Sequence, residues 1–218
     1  MNTAERFVIL LDVDNTLLDN DAVQADLSAH LQHEFGAERR DRYWSIFETL
    51  REQLGYADYL GTLQRYRDEV PNDPHLLLMS AFMMDYPFAS RVYRGAVEAI
   101  SRLGTLGPTV ILSDGDVVFQ PRKILRSGLW DAVDGKVLIY VHKEQELGEV
   151  ERRFPARHYV MVDDKVRILA AVKDWWQERV TTVFVKQGQY ATDPKIVAAY
   201  PAADMTLEKI GDMMDYDF

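Results

Sequence analysis

Apolar residues fall along the chain in two rhythms. Short, β-branched runs occur at 7–11 (FVILL), 109–112 (TVIL), 137–141 (VLIYV), 159–162 (YVMV) and 182–185 (TVFV). Runs this greasy, without polar alternation, fit strands covered on both faces, as in a parallel sheet. Apolar positions three and four apart predict helices near residues 95–106, 121–127, 145–154, 166–179 and 194–200. From about Arg94 onward the alternation of strand and helix predicts an α/β fold with a mostly parallel, buried sheet.

Between the first and second apolar runs lie roughly ninety residues with no strand pattern, far more than a crossover needs. Segments 21–35, 39–54, 56–69 and 75–84 carry helical spacing instead, so a small helical bundle is predicted to be inserted there. Its return, near residues 87–95, holds Pro and Gly and reads as a hinge. The expected division is a core of residues 1–18 and 91–218 with a helical cap of residues 19–90.

Composition narrows the chemistry. Residues are 47% hydrophobic and 28% charged, as expected for a packed globular chain of 218 residues. There is no cysteine, so disulfides and cysteine-ligated zinc are excluded and a metal would have to be held by oxygen or histidine. The formal net charge of −10 opposes general nucleic-acid binding. The apolar stretch near the N-terminus is too short for a signal-peptide core, and the run at 76–84 is too short to span a membrane. A cytoplasmic protein without a membrane partner is expected.

In open parallel sheets ligands bind beyond the carboxyl ends of the strands. The residues just past the apolar runs are Asp12 and Asp14, then Ser113, then Lys143, then Asp163 with Asp164. In this order they resemble the haloacid-dehalogenase superfamily, in which Asp-x-Asp-x-Thr, a Ser or Thr, a Lys and an acidic pair follow consecutive strands. Asp12-Val13-Asp14-Asn15-Thr16 matches the first motif in full. The match runs from about Phe7 to Lys165, with the helical insert where the superfamily carries a mobile cap, and is most similar to the phosphatase branch with a C1-type cap. The resemblance implies a Rossmann-like three-layer core.

It also implies roles. Asp12 would be nucleophile and metal ligand, with Asp163 and Asp164 supplying the remaining carboxylates and Asp14 its backbone carbonyl to Mg²⁺. A carboxylate attacking a phosphoryl group meets like charge, which a divalent cation relieves. Asp14, one strand period beyond Asp12, would protonate the leaving alkoxide and then activate water. That second acid argues against the dehalogenase branch, which generally lacks it. Ser113, Asp114 and Lys143 would bind the phosphoryl group, Lys143 as a point charge. Two positions depart from the pattern: Ile168 stands where a further acid is common, and Arg94 where Pro often precedes Gly95.

Plainer readings compete. Asp, Asn and Thr after a strand also make turns and helix caps, and Lys136 rivals Lys143. His142 reads as a rim residue, and the remaining histidines lack metal spacing. Arg39, Arg40, Arg42 and Arg51, interleaved with Tyr43, Trp44 and Phe47, fit either an anionic or aromatic substrate or, more commonly, a solvated basic helix face. Trp175 and Trp176 are expected to pack the last long helix on the sheet, and Met79, Met83 and Met84 to fill the cap core or a dimer contact. The expected activity is Mg²⁺-dependent hydrolysis of a small phosphate ester by a monomer or homodimer. The rivals are a phosphomutase using the same intermediate, a phospho-accepting signalling module, and a non-catalytic binding relative.

Overall fold

The structure is a computed structural model and describes residues 5–216. Six strands, β1 (Glu5–Leu11), β2 (Thr109–Asp114), β3 (Val137–Tyr140), β4 (Ala156–Asp163), β5 (Val180–Val185) and β6 (Met205–Leu207), form one sheet in the order β3-β2-β1-β4-β5-β6. Every pairing is parallel, with Leu11 opposite Ile111 on one side and Val162 on the other. The chain builds outward from β1 first toward β3 and then, from β4, toward β6, so the order reverses beside β1. That switch point is where a parallel sheet opens a crevice.

Alternate residues of the central strands feed two cores, as the strand period requires. Val8, Leu10, Val110, Leu112, Tyr159 and Met161 pack with α8 (Leu147–Arg153) and α9 (Val166–Trp176). Ile9, Leu11, Ile111, Val160 and Val162 pack on the other face with α5 (Ala96–Leu103) and α6 (Phe119–Arg126). This second core runs on without a break into the inserted helices. Burying a large aliphatic side chain contributes about 1.5–3 kcal/mol, so two continuous cores hold the strand ends in fixed register. Three short helices, α7 (Leu129–Ala132), α10 (Gly188–Thr192) and α11 (Pro194–Val197), join the elements.

The insert comprises α1 (Asn20–Phe35), α2 (Ala37–Leu54), α3 (Tyr59–Glu69) and α4 (Leu76–Asp85). Leu27, Leu31, Phe35, Tyr43, Phe47, Leu63, Met79 and Met83 are among its buried residues, with Met84 partly buried against them. Asp19 caps α1 by accepting from the Ala22 amide at 2.9 Å. The two connections to the core are laced together: the Asp19 amide donates to the Arg91 carbonyl at 2.8 Å, and the Tyr93 amide to the Leu17 carbonyl at 2.9 Å.

Some sequence expectations need correction. The short strand β6 carries no five-residue apolar run and has no counterpart among the predicted strands. The helix predicted to Arg179 stops at Trp176, because Gln177 takes φ 52°, and continues only as a 3-10 turn. Trp176 does pack on the sheet, stacking on Tyr159 at 4.1 Å, but Trp175 points away and is 60% exposed. Consecutive helical residues lie 100° apart, so only one of the pair can face the sheet. Among the described residues no helix is long and apolar enough to cross a membrane.

Candidate active site

β1 ends at Leu11, and the Asp12 amide still donates to the Val162 carbonyl at 3.0 Å, which holds Asp12 at the carboxyl edge between β2 and β4. A tight turn follows, in which the Val13 carbonyl accepts from the amides of Thr16, Leu17 and Leu18 at 3.2, 2.9 and 2.9 Å. Asn15 adopts φ 61°, a left-handed conformation that Asn tolerates better than most residues. Its Oδ1 accepts from the amides of Asn20 and Asp21 at 3.0 and 3.1 Å, so the turn also fixes the start of α1. Gln187 supports it from the far edge, Nε2 donating to the Thr16 carbonyl at 3.0 Å. Next to it, Gly188 at φ 74° leaves the Asn15 side chain space that a Cβ would enter, within 2.4 Å of Cγ.

Asp12 is buried, and Lys143 reaches it from the turn after β3. The fully buried Lys143 ammonium donates to Asp12 Oδ1, lies 2.7 Å from Asp163 Oδ2, and meets the Leu112 carbonyl at 3.3 Å. Burial alone would lower its pKa, but Asp12, Asp163 and Asp114 outweigh burial and hold it above the ordinary lysine value as a permanent cation. The Lys143 amide donates to Asp114 Oδ1 at 2.8 Å.

The third group is acidic. Asp163 and Asp164 are buried at the end of β4, and with Asp12 they bring carboxylate oxygens within 4.8 Å of one another. Burial pushes the Asp163 carboxyl up to about 6, Asp12 adding to the effect and Lys143 opposing it. Burial raises Asp164 as well, with Lys165 opposing and Asp163 adding. Asp163 Oδ1 accepts from the Lys165 amide at 2.8 Å, whereas neither oxygen of Asp164 has a hydrogen-bond partner among the described residues. Buried carboxylate oxygens left without donors are costly unless a cation takes them. An all-oxygen set of this kind suits Mg²⁺. Ile168 is fully buried in the core with Leu10 and Met161, so its position faces the sheet and has no access to this cluster.

Ser113 and Asp14 stand across the opening. Ser113 Oγ accepts from Gln120 Nε2 at 2.9 Å and donates to the Asp114 carbonyl at 3.2 Å. Asp14 stays partly open to solvent, its Oδ1 accepting from Lys123 Nζ at 2.7 Å and its Oδ2 from Gln120 Nε2 at 3.4 Å. Lys123 is fully buried in α6, and its ammonium also donates to Asn20 Oδ1 at 2.9 Å. Asn20 Nδ2 in turn donates to the Tyr59 hydroxyl at 3.3 Å, which takes a second bond from Gln24 Nε2 at 2.8 Å. A polar chain therefore runs from Asp14 through the core helix to two helices of the insert.

A cavity of about 380 Å³ lies between core and insert, with Lys123, Lys143, Asp163 and Asp164 outside its lining. Asp12, Asp14, Ser113, Asp114 and Gln120 line it from the core, with Asn20, Gln24, Arg51 and Tyr59 opposite. All the strand-end residues singled out in the sequence thus meet at one place, while Gln120, Lys123 and Lys165 were missed. Of the four insert arginines only Arg51 lines the cavity. Arg39 pairs with Asp73 at 3.2 Å, Arg40 with Asp41 at 2.6 Å and Arg42 with Glu69 at 2.5 Å, so for these three the surface reading holds. His142 abuts Gly55 of the insert and does not line the cavity.

A family model described as haloacid dehalogenase-like hydrolase matches residues 8–175. A protein of Burkholderia xenovorans LB400, described as a haloacid dehalogenase-like hydrolase, is 65% identical, with a TM-score of 0.95 over 98% of this chain and 100% of that one. An L-2-haloacid dehalogenase of Xanthobacter autotrophicus is 18% identical, TM-score 0.65, with 97% of each chain covered. The HAD hydrolase YfnB of Bacillus subtilis, solved bound to magnesium, is 16% identical, TM-score 0.62, with 98% of each chain covered. These last two likenesses are of fold. A search of curated proteins found no match.

Proposed function

The chain belongs to the haloacid dehalogenase-like hydrolase family, and from that premise we propose that it is a Mg²⁺-dependent phosphatase acting on a small phosphate ester through an aspartyl-phosphate on Asp12. The observation that carries the reading is Asp14, which lines the cavity with a dedicated buried cation, Lys123, on one oxygen and Gln120 on the other. Displacing a halide needs no acid at that position, whereas expelling an alkoxide does.

Asp12, held by Lys143, attacks phosphorus, and the P–O bond to the leaving group breaks as Asp14, entering this step in its protonated form, delivers its proton to the departing oxygen. Asp14, now a carboxylate, takes a proton from a water that attacks phosphorus and releases inorganic phosphate and free Asp12. Ser113 and the Lys143 ammonium hydrogen-bond the transferring oxygens. Asp12, Asp163, Asp164 and the Asp14 carbonyl would hold Mg²⁺, which when bound neutralises phosphoryl charge and fixes its orientation. We assign residues 19–90 as a cap that excludes water from the cavity, over a core of residues 1–18 and 91–218.

A second reading, L-2-haloacid dehalogenation, is favoured by the fold of the Xanthobacter enzyme. It would use Asp12 on carbon and give Asp14 and the unpartnered Asp164 no task. The deciding experiment measures phosphate release from a panel of esters with and without Mg²⁺, alongside halide release from L-2-chloropropionate. Mg²⁺-dependent phosphate release that vanishes in Asp12→Asn is the expected result. Halide release with no ester turned over would replace this reading with the second.

A further inference from the structure

Among the cations lining the cavity, Arg51 and Lys165 come from opposite walls and meet at one side chain. Arg51 lies in the last turn of α2; its Nη1 donates to the Tyr190 hydroxyl at 2.7 Å, and its Nη2 pairs with half-exposed Glu48 of the same helix at 2.7 Å. Lys165 follows the acidic pair on the core side, with its ammonium 5.7 Å from the centroid of the same Tyr190 ring. Among the described residues no carboxylate lies within ion-pair distance of it. Every other charged group at the cavity has its own partner. Arg167 pairs with Glu144 at 2.5 Å, Asp114 accepts from the Lys143 amide at 2.8 Å, and Asp21 accepts from the Gln189 amide at 2.7 Å. Asp12 and Asp14 are held by Lys143 and Lys123.

We propose that the leaving group of the substrate carries a second anionic group, a carboxylate or a further phosphate, bound between Arg51 and Lys165 beside Tyr190. The inference rests on the phosphatase reading and names its substrate class. Both cations reach the same ring, and an anion held beside it would use guanidinium donors that Glu48 and Tyr190 leave free. With the scissile phosphoryl group at Asp12, Ser113 and Lys143, Arg51 stands on the insert side, where the leaving group extends. A cavity of about 380 Å³ accommodates a chain of a few carbons bearing both groups. The tyrosine hydroxyl sets the direction of the guanidinium before substrate arrives, which limits the ordering that binding requires.

The test uses four phosphate esters on one three-carbon scaffold: the monophosphates of 3-hydroxypropanoate, propane-1,3-diol and 3-aminopropanol, and the bisphosphate of propane-1,3-diol. With Mg²⁺, at least one of the two doubly anionic esters should exceed the neutral diol ester in kcat/KM by about 10-fold or more, chiefly through KM, and the amine should be poorest. Arg51→Gln should erase that preference while leaving turnover of the neutral ester within about twofold, and Arg51→Lys should keep part of it. Comparable kcat/KM for the four esters, or an Arg51→Gln loss of equal size on all of them, overturns the subsite and leaves the phosphatase reading standing. Inertness toward every ester removes both.

Discussion

The Lys123 ammonium lies 2.7 Å from the Asp14 carboxylate although the lysine is fully buried. Its remaining contacts, to Asn20 and over the rings of Tyr59 and Phe119 at 5.8 and 5.5 Å, leave it one orientation. A buried charge without a counter-charge is strongly destabilising, so each member of this pair fixes the other. Lys123→Met is therefore expected to lower kcat by about 10- to 100-fold, equivalent to roughly 1.5–3 kcal/mol for a hydrogen bond to a charged group. In an Asp14→Asn background the same change should add little. A double-mutant cycle on kcat measures this, and additive losses would restrict Lys123 to folding.

Asp164 has both oxygens buried without donors, and Mg²⁺ should relieve the strain among Asp12, Asp163 and Asp164. Saturating Mg²⁺ is expected to raise the melting temperature, by about 2.7 kcal/mol of stability when the ion is at a hundred times its Kd. Asp164→Asn should lose that shift and calorimetrically detectable binding, yet melt no lower than wild type in chelator. A full Mg²⁺ response in the variant would exclude Asp164 as a ligand.

Within the insert, Asp73 is buried, accepts from the His75 amide at 3.0 Å, the His75 ring at 2.7 Å and the Tyr66 hydroxyl at 3.2 Å, and forms an ion pair with Arg39 Nε at 3.2 Å. Burial raises its pKa, but the hydrogen bonds from His75 and Tyr66, with the charge of Arg39, outweigh burial and hold the carboxyl below its usual value of 3.8. Its stabilisation is then complete above the unfolded pKa, near 4, and disappears as the pH falls through the lower folded value. Asp73→Asn should cost roughly 2 kcal/mol at pH 7 and progressively less below about pH 4. Urea unfolding at the two pH values checks this, and an equal loss at both would remove the charge from the explanation.

Gly188→Ala should impair activity from a position remote in sequence from Asp12. The new Cβ would collide with the Asn15 side chain, and φ 74° is itself unfavourable for alanine. The expected cost is about 1–3 kcal/mol, of the order seen for strained backbone, with kcat reduced as the turn shifts. Wild-type kcat and melting temperature in the variant would show that the turn has slack.

Asp12, Ser113, Lys143 and Asp163–Asp164 were legible because a buried parallel strand announces itself by composition, and the residue just past it lies at the crevice wherever the strand sits in the sheet. Lys123 was not, because a lysine in QPRKILR has the spacing of an ordinary helix surface; only the packing of α6, with its own Phe119, against Tyr59 of the insert buries it. Lys165 was hidden for a similar reason, since its importance depends on Tyr190 arriving from a distant helix. β6 escaped notice because three residues are too few to form a pattern. The arginines of α2 needed partners to be told apart: Asp73 and Glu69, which claim two of them, lie beyond the helix that carries them.

The paired bonds joining Asp19 to Arg91 and Leu17 to Tyr93 bear on how such a molecule can change over time. Whatever lies between them is closed off as a loop, and the entropy of closing a loop grows only with the logarithm of its length. Residues can thus be added or removed within that interval, away from Asn20 and Tyr59, at little entropic cost to β1 and its turn. On the proposed reading, the wall facing the leaving group can then drift at a different rate from the strand ends within a single gene.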